Sequence, residues 1–115
     1  MSDKKKSKTK LRPGVPVIVA LHNPSQNYWG VLDEITLAGV FLRGLDLDAF
    51  DDWVHALVHD EPFMGIGDLF FPMWRVERIS KDEASGGIPS LFEQAVQRAG
   101  DKVTALFEAE NYLPA

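Results

Sequence analysis

The stretch YWGVLDEITLAGVFLRGL, residues 28–45, decides the fold of this chain. Residues 28–35 and 40–45 are rich in the β-branched and aromatic side chains that favour strands. The short connection between them contains a glycine, which is typical of a hairpin. Gly30 and Gly44 predict bends or bulges within the two strands. Two bent strands joined by a tight turn favour a small, strongly coiled β-barrel.

Further strands are predicted on both sides of this hairpin. Residues 15–21 (VPVIVAL) form a first strand that is apolar on both faces and therefore lies deep in the sheet. Pro16 lies near its start, where a missing backbone N–H is tolerated. Residues 69–79 (LFFPMWRVERI) form the last strong strand, with Pro72 at an edge or bulge. A short strand in the preceding link brings the expected total to about five.

The hydrophobic pattern changes to a helical period between the third strand and the last one. We expect an inserted helix at about residues 48–58, with Asp46 or Asp48 as its N-cap and Pro62 after its end. The apolar residues that recur at helical spacing are Phe50, Trp53, Val54, Leu57 and Val58.

A second helical pattern lies near the C-terminus. Ser90 and Glu93 fit a capping box, and an apolar stripe follows them. The pattern predicts a helix or helix pair at about residues 90–109, divided at Gly100 and Asp101, because glycine ends helices and aspartate begins them. We expect the stripe to pack on the domain's own sheet, or on that of a neighbouring subunit.

Length and charge suggest one domain with two extensions. The chain has 115 residues and is 45% hydrophobic, which suits a single globular domain. Residues 1–12 carry six basic side chains against one acidic one, a net charge of +5, whereas the remainder carries six against 16, a net of −10. We therefore predict a disordered basic tail at 1–12, a barrel with an inserted helix at 13–80, and a linker with a helical extension at 81–115.

Several classes of protein are excluded by composition. Cysteine is absent, which excludes disulfides, thiolate metal sites and cysteine nucleophiles. No apolar run approaches the roughly 20 residues that span a bilayer, and no apolar segment follows the basic start as it would in a secretory signal. We expect a cytoplasmic protein that does not bind membranes.

Three segments resemble the Sm-like family of small SH3-like barrels. Residues 29–35 and 39–44 are similar to the first Sm motif, a glycine-bent strand followed by a hairpin, and residues 70–79 to the closing strand of the second. The resemblance covers about residues 13–80 and implies a ring-like oligomer joined by edge strands. The Asp and Asn with which the family binds RNA bases are missing from residues 36–39, and the Arg-Gly of its second motif is missing from residues 70–79. RNA binding at the family's usual residues is therefore not implied.

No catalytic or cofactor-binding pattern is recognisable. The serines lie outside any G-x-S-x-G elbow, and no glycine run fits a phosphate or dinucleotide loop. We therefore expect a non-enzymatic protein without a cofactor. Asp51, His55 and His59 follow each other at helical spacing and are weak candidates for a divalent metal site or a metal-dependent hydrolase, and a solvated helix face is the favoured explanation.

Aromatic residues are the strongest functional signal. A barrel this small cannot bury them all fully. The favoured explanation is that they cover the ends of the barrel and the inserted helix, and the alternatives are that some form an interface patch or stack unpaired bases. The leading hypothesis is a self-associating interaction module, and the alternative is a single-stranded RNA-binding protein that uses its basic tail. The acidic body disfavours the alternative. The interface candidates are Tyr28, Trp29, Phe63, Phe71, Trp74 and Arg75, and the tail candidates are Lys4, Lys5, Lys6, Lys8 and Lys10.

Overall fold

The structure is a computed structural model that describes residues 11–63 and 65–112, with side chains described up to residue 107. The predicted basic tail therefore lies outside the described residues except for its last two. The strands are β1 (Pro16–Leu21), β2 (Gln26–Ile35), β3 (Gly39–Asp46), β4 (Gly67–Pro72) and β5 (Val76–Lys81). The helices are α1 (Phe50–Val58), α2 (Leu91–Ala99) and α3 (Asp101–Tyr112).

The five strands form one antiparallel sheet in the order β4-β3-β2-β1-β5. This confirms a mainly β fold of five strands with added helices. β4 and β5 are the two edges and are not paired with each other, so the sheet is not closed and the expected barrel is not confirmed. β1, predicted to lie deep in the sheet, pairs with both β2 and β5.

The sheet is nevertheless strongly coiled. Tyr28 lies opposite Asp46 on β3, whereas Phe71 lies opposite Val40, six residues further along the same strand. In a flat sheet these two positions would be about 20 Å apart along the strand direction. The ring centroids of Tyr28 and Phe71 are only 4.8 Å apart, so β4 folds back over the start of β2.

Two glycines permit a close approach of β2 and β3. Gly30 and Gly44 lie directly opposite each other in the register of β2 and β3. A Cβ atom on Gly30 would overlap the carbonyl oxygen of Arg43, and one on Gly44 would overlap the carbonyl oxygen of Trp29. The two backbones approach too closely for any side chain here. The irregularity in the β2–β3 register lies between Leu32 and Glu34, so the bends or bulges predicted at the two glycines stay predictions.

The predicted last strand is wrong as a single element. Residues 69–79 are divided between β4 and β5 by a 3-10 turn at Met73–Arg75. Pro72 ends β4 because it has no N–H to donate to a continuing ladder. The two halves then pair with β3 and β1, on opposite sides of the sheet.

The two faces of the sheet bury separate cores. The inner face, the concave one, carries Val17, Val19, Leu21, Leu32, Val40, Leu42 and Phe71, and Leu11 and Val15 pack against them. The outer face is covered by the helices, so the C-terminal stripe packs on the chain's own sheet. The outer core contains Trp29, Leu45, Phe50, Trp53, Val54, Ala95, Val103 and Phe107.

The helix boundaries follow local signals. Asp46 does act as a cap, but for a 3-10 turn at Leu47–Ala49 that precedes α1, where it accepts a hydrogen bond from the backbone N–H of Asp48. The capping box of Ser90 and Glu93 at the start of α2 is confirmed in both directions. Gly100, at a φ of 61°, separates α2 from α3, as predicted.

Candidate interaction surface

Phe41 on β3 and Phe70 on β4 form an exposed aromatic pair at one edge of the sheet. The two residues lie opposite each other in register, and their ring centroids are 4.8 Å apart. Phe41 is 37% exposed and Phe70 45% exposed. A large apolar side chain that remains this accessible beside a strand edge is a frequent feature of interaction surfaces. We call these two residues the edge pair.

The edge pair lies on the outer face, beyond the area that the helices cover. Alternate residues of a strand share a face, so Phe41, Arg43 and Leu45 follow each other along the outer side of β3. Leu45 belongs to the outer core beneath the helices. Between Leu45 and the edge pair, Arg43 binds Asp68 of β4, with Nη1 of the arginine 3.1 Å from Oδ1 of the aspartate. This ion pair separates the covered part of the face from the exposed part.

A groove of about 210 Å³ runs beside the edge pair. Its walls include Leu42 and Leu69 and the carboxylates of Asp33 and Asp68, in addition to the two phenyl rings. A larger groove of about 390 Å³ adjoins it and shares Asp33 and Asp68. The exposed end of the outer face is therefore concave and apolar with an acidic margin, and it can receive a flat apolar side chain.

Strand β4 is an edge of the sheet along its whole length. Among the residues that the structure describes, its only hydrogen-bonded neighbour strand is β3, so the backbone N–H and C=O groups that point away from β3 face outward. The strand, GDLFFP, has one charged residue, Asp68, whose carboxylate is bound by Arg43. A nearly uncharged edge with an exposed aromatic residue is the type of edge to which another strand adds readily.

The apolar surface continues around the β2–β3 hairpin. Leu37 at the hairpin tip is fully exposed, and Ile35 is partly exposed. The backbone N–H of Met73 donates to the carbonyl oxygen of Ala38 at 2.9 Å, which holds the 3-10 turn after β4 against the hairpin. Both turns therefore lie at the same end of the sheet as the edge pair.

The six residues predicted for the interface have different environments. Trp29 is completely buried in the outer core, and Phe71 is buried in the inner core with Tyr28 against it. Trp29 and Phe71 are therefore not accessible to a partner, whereas Tyr28 is partly exposed. Phe63 and Trp74 are accessible, at 46% and 66% exposed.

Arg75, the sixth candidate, is engaged within the chain. Its guanidinium donates to the carbonyl oxygens of His22 and Pro24 at 3.0 and 3.2 Å, and to Oε1 of Gln26 at 2.9 Å. The side chain thus fixes the β1–β2 loop against the 3-10 turn. These hydrogen bonds within the chain explain the position of Arg75, and no binding partner is needed to explain it.

The sequence reasoning missed Phe41 and Phe70 as interface residues. A signal was present: Phe41 alternates with Val40 and Leu42, and Phe70 with Leu69 and Phe71. Since the flanking residues point to the inner core, the period of two puts both phenylalanines on the opposite face. The sequence does not reveal where the helices stop covering that face.

The candidate metal residues do not form a three-ligand site. His55 and His59 lie side by side on α1 with ring centroids 4.3 Å apart, but Oδ1 of Asp51 is bound by Nη1 of Arg98 at 3.1 Å. Among the residues that the structure describes, no three His, Cys, Asp or Glu side chains converge as metal ligands. The lysines predicted for nucleic-acid binding lie outside the described residues.

Comparison with known proteins assigns no family. No protein-family model, no curated protein and no solved structure matches this chain. Within the described residues, no helix has the length and apolar character needed to cross a membrane.

Proposed function

We propose that this chain is a non-enzymatic interaction module that self-associates by pairing β4 with β4 of a second copy. The observation that carries the proposal is the edge pair beside an unpaired strand edge. Strand addition supplies main-chain hydrogen bonds, and the side chains of the edge supply specificity. The sequence resemblance to Sm-like proteins also implies joining by edge strands, but in a ring, whereas pairing of β4 with β4 about a two-fold axis closes as a dimer.

The finer fold assignment belongs to the same proposal. We assign the sheet to the small SH3-like type, with Sm-like strands. Three features support this: the strand order β4-β3-β2-β1-β5, the 3-10 turn between β4 and β5, and the contact of Tyr28 with Phe71 across the coiled sheet.

A particular register follows from the alternation of β4. A two-fold axis perpendicular to the sheet keeps the outer face of both copies on the same side, so opposed residues must share a face. Pairing centred on Phe70 places Phe70 against its own copy, Leu69 against Phe71 and Asp68 against Pro72. The two Asp68 carboxylates do not meet in this register. The two edge pairs then join into a row of four phenyl rings on the outer face.

A second copy fits this edge better than RNA does. Cross-strand aromatic pairs stabilise antiparallel strands by roughly 0.2–1 kcal/mol each. Stacking of unpaired bases normally takes place in basic grooves, whereas the grooves beside the edge pair contain Asp33 and Asp68. RNA binding by the lysine tail stays a prediction, and the surface described here does not support it.

Matched charge substitutions test the surface. Phe70→Glu introduces a carboxylate at the centre of the proposed pairing, whereas Phe63→Glu does so at a phenylalanine of nearly equal exposure near the end of α1. A short strand forms a small interface, so we expect a weak, concentration-dependent dimer in sedimentation velocity runs. Phe70→Glu should give a monomer at every concentration, and Phe63→Glu should associate like the parent chain.

Three outcomes would contradict the proposal. The parent chain could sediment as a monomer at the highest concentration, Phe70→Glu could associate normally, or Phe63→Glu could abolish association, which would place the interface elsewhere. Circular dichroism checks that the variants are folded. If Phe70→Glu does not fold, Phe70→Lys, which brings two like charges together at the proposed two-fold axis, gives the same readout.

A further inference from the structure

His55 and His59 form a pair of imidazoles for which the proposed self-association has no use. They lie one turn apart on α1, both are exposed, and their ring centroids are 4.3 Å apart with the ring planes at 49°. The buried side of α1 carries Phe50, Trp53 and Val54, so the two rings are not needed for packing. We propose that this pair is a bidentate site for Cu²⁺ or Ni²⁺.

The distance between the rings allows both imidazoles to bind one metal ion. Metal–nitrogen bonds to imidazole are about 2.0–2.1 Å long, which puts the ring centroid about 3.2 Å from the metal. Two rings at a right angle about the metal then have centroids about 4.5 Å apart, and two rings at the tetrahedral angle about 5.2 Å apart. The observed 4.3 Å is within about 1 Å of both values, so a small rotation of the two exposed side chains brings both rings to one ion.

Two carboxylates near the histidine pair are already bound by basic side chains of the same chain. Asp51, one turn before His55, is bound by Arg98, and Asp60, next to His59, is bound by Lys102 at 2.8 Å. The described residues supply no third converging ligand, so water completes the coordination sphere. Such a site is open and exchangeable, and its affinity depends on the two imidazoles acting together, since the second nitrogen binds intramolecularly once the first is bound.

The order of affinities follows from ligand type. Nitrogen sites bind divalent metals in the order Ni²⁺ below Cu²⁺, with Zn²⁺ again below Cu²⁺. We therefore expect Cu²⁺ to bind most tightly. The carboxylates nearby add attraction for any dication but do not discriminate between metals.

Copper titration of the full, tag-free chain tests the inference, followed by electron paramagnetic resonance in the presence of glycine as a weak competitor. We expect one Cu²⁺ per chain with two nitrogen donors, and an affinity about tenfold or more lower in His55→Ala and in His59→Ala. The matched control is His22→Ala, which removes the only other histidine, from the β1–β2 loop, and should leave the affinity unchanged.

Either of two results would overturn the site. One is an equal copper affinity in His55→Ala and in the parent chain. The other is tighter binding of Zn²⁺ than of Cu²⁺, since this would reverse the order of affinities expected for two imidazole ligands. The two histidines are exposed, so the alanine variants should fold, and circular dichroism verifies this. We expect His55→Ala and His59→Ala to lose copper binding and to keep self-association, which distinguishes the metal site from the β4 interface.

Discussion

Trp29 and Asp82, 53 residues apart in the sequence, are joined by a 3.0 Å hydrogen bond from the indole Nε1 to Oδ2 of the carboxylate. The same carboxylate accepts hydrogen bonds from the backbone N–H groups of Leu91 and Phe92, both at 2.9 Å. Asp82 is buried. One carboxylate thus accepts hydrogen bonds from the central tryptophan of the outer core and from the first turn of α2. Its negative charge also interacts favourably with the helix dipole at that end of α2.

Removing this carboxylate should destabilise the fold more than any surface acidic residue does. Asp82→Ala leaves a buried indole N–H and two helix N–H groups without their acceptor, which we expect to cost about 2–4 kcal/mol in the free energy of unfolding. Urea denaturation measures the loss. Glu83→Ala, at the adjacent exposed position, is the control and should change stability by less than about 0.5 kcal/mol. Equal stabilities of the two variants would show that the carboxylate is not needed.

The close approach of β2 and β3 predicts that alanine destabilises the fold more at Gly44 than at Gly67, the residue opposite it on β4. Gly44 pairs with Gly67 of β4. A Cβ on Gly44 would overlap the backbone of Trp29, whereas one on Gly67 would have no atom within 4 Å. Gly44→Ala should therefore lower the free energy of unfolding by about 2 kcal/mol or more, and Gly67→Ala should be neutral or slightly stabilising. Thermal denaturation distinguishes the two, and equal losses would contradict the close approach.

The contact between α3 and the end of α1 predicts a pH-dependent contribution to the free energy of unfolding. The hydrogen bond from Lys102, together with its charge, holds the pKa of Asp60 below its usual value of 3.8. Because the charged form is favoured in the folded state, this contribution is present above pH 3.8 and is lost as the pH falls through the folded pKa. Lys102→Met should raise the pKa of Asp60, as measured by NMR titration of its carboxyl carbon. Lys81→Met should leave it unchanged, and an unchanged pKa in Lys102→Met would refute the contact.

The elements that the sequence predicts well are those fixed by neighbours in the chain. The inserted helix, the capping box of Ser90 and Glu93, and the break at Gly100 depend on residues a few positions apart. The close approach of the backbones at Gly30 and Gly44 also has a local signal, because glycine within a strand is typical of such sites.

Features that depend on distant contacts were not predictable in the same way. Trp29 and Phe71 look like interface residues until the helices and β4 cover them. Phe41 and Phe70 are accessible because α1, α2 and α3 cover only part of the outer face, and no local pattern marks where that cover ends. The division of residues 69–79 at Pro72 likewise depends on which strands its two halves pair with.

Ionic strength should act on self-association in the direction opposite to RNA binding. The chain carries a formal net charge of −5, so two copies repel each other, and salt screens this repulsion. We expect the dimer fraction in sedimentation runs to rise between 50 and 500 mM salt, conditions of roughly 14 to 4 Å screening length. Binding of the basic tail to homopolymer RNA would instead weaken with salt. A dimer fraction that falls with salt would contradict an apolar β4 interface.

Single-cysteine crosslinking tests the β4 pairing most directly, because the natural chain contains no cysteine. Phe70→Cys places a thiol at the proposed two-fold axis, where opposed Cβ atoms of antiparallel strands are about 4.5–5.5 Å apart, close enough for a disulfide after a small adjustment. Phe63→Cys loses an equally exposed ring outside the interface. With diamide as oxidant, we expect Phe70→Cys to form a covalent dimer much faster than Phe63→Cys. Equal rates for the two variants, or no covalent dimer of Phe70→Cys, would contradict the pairing.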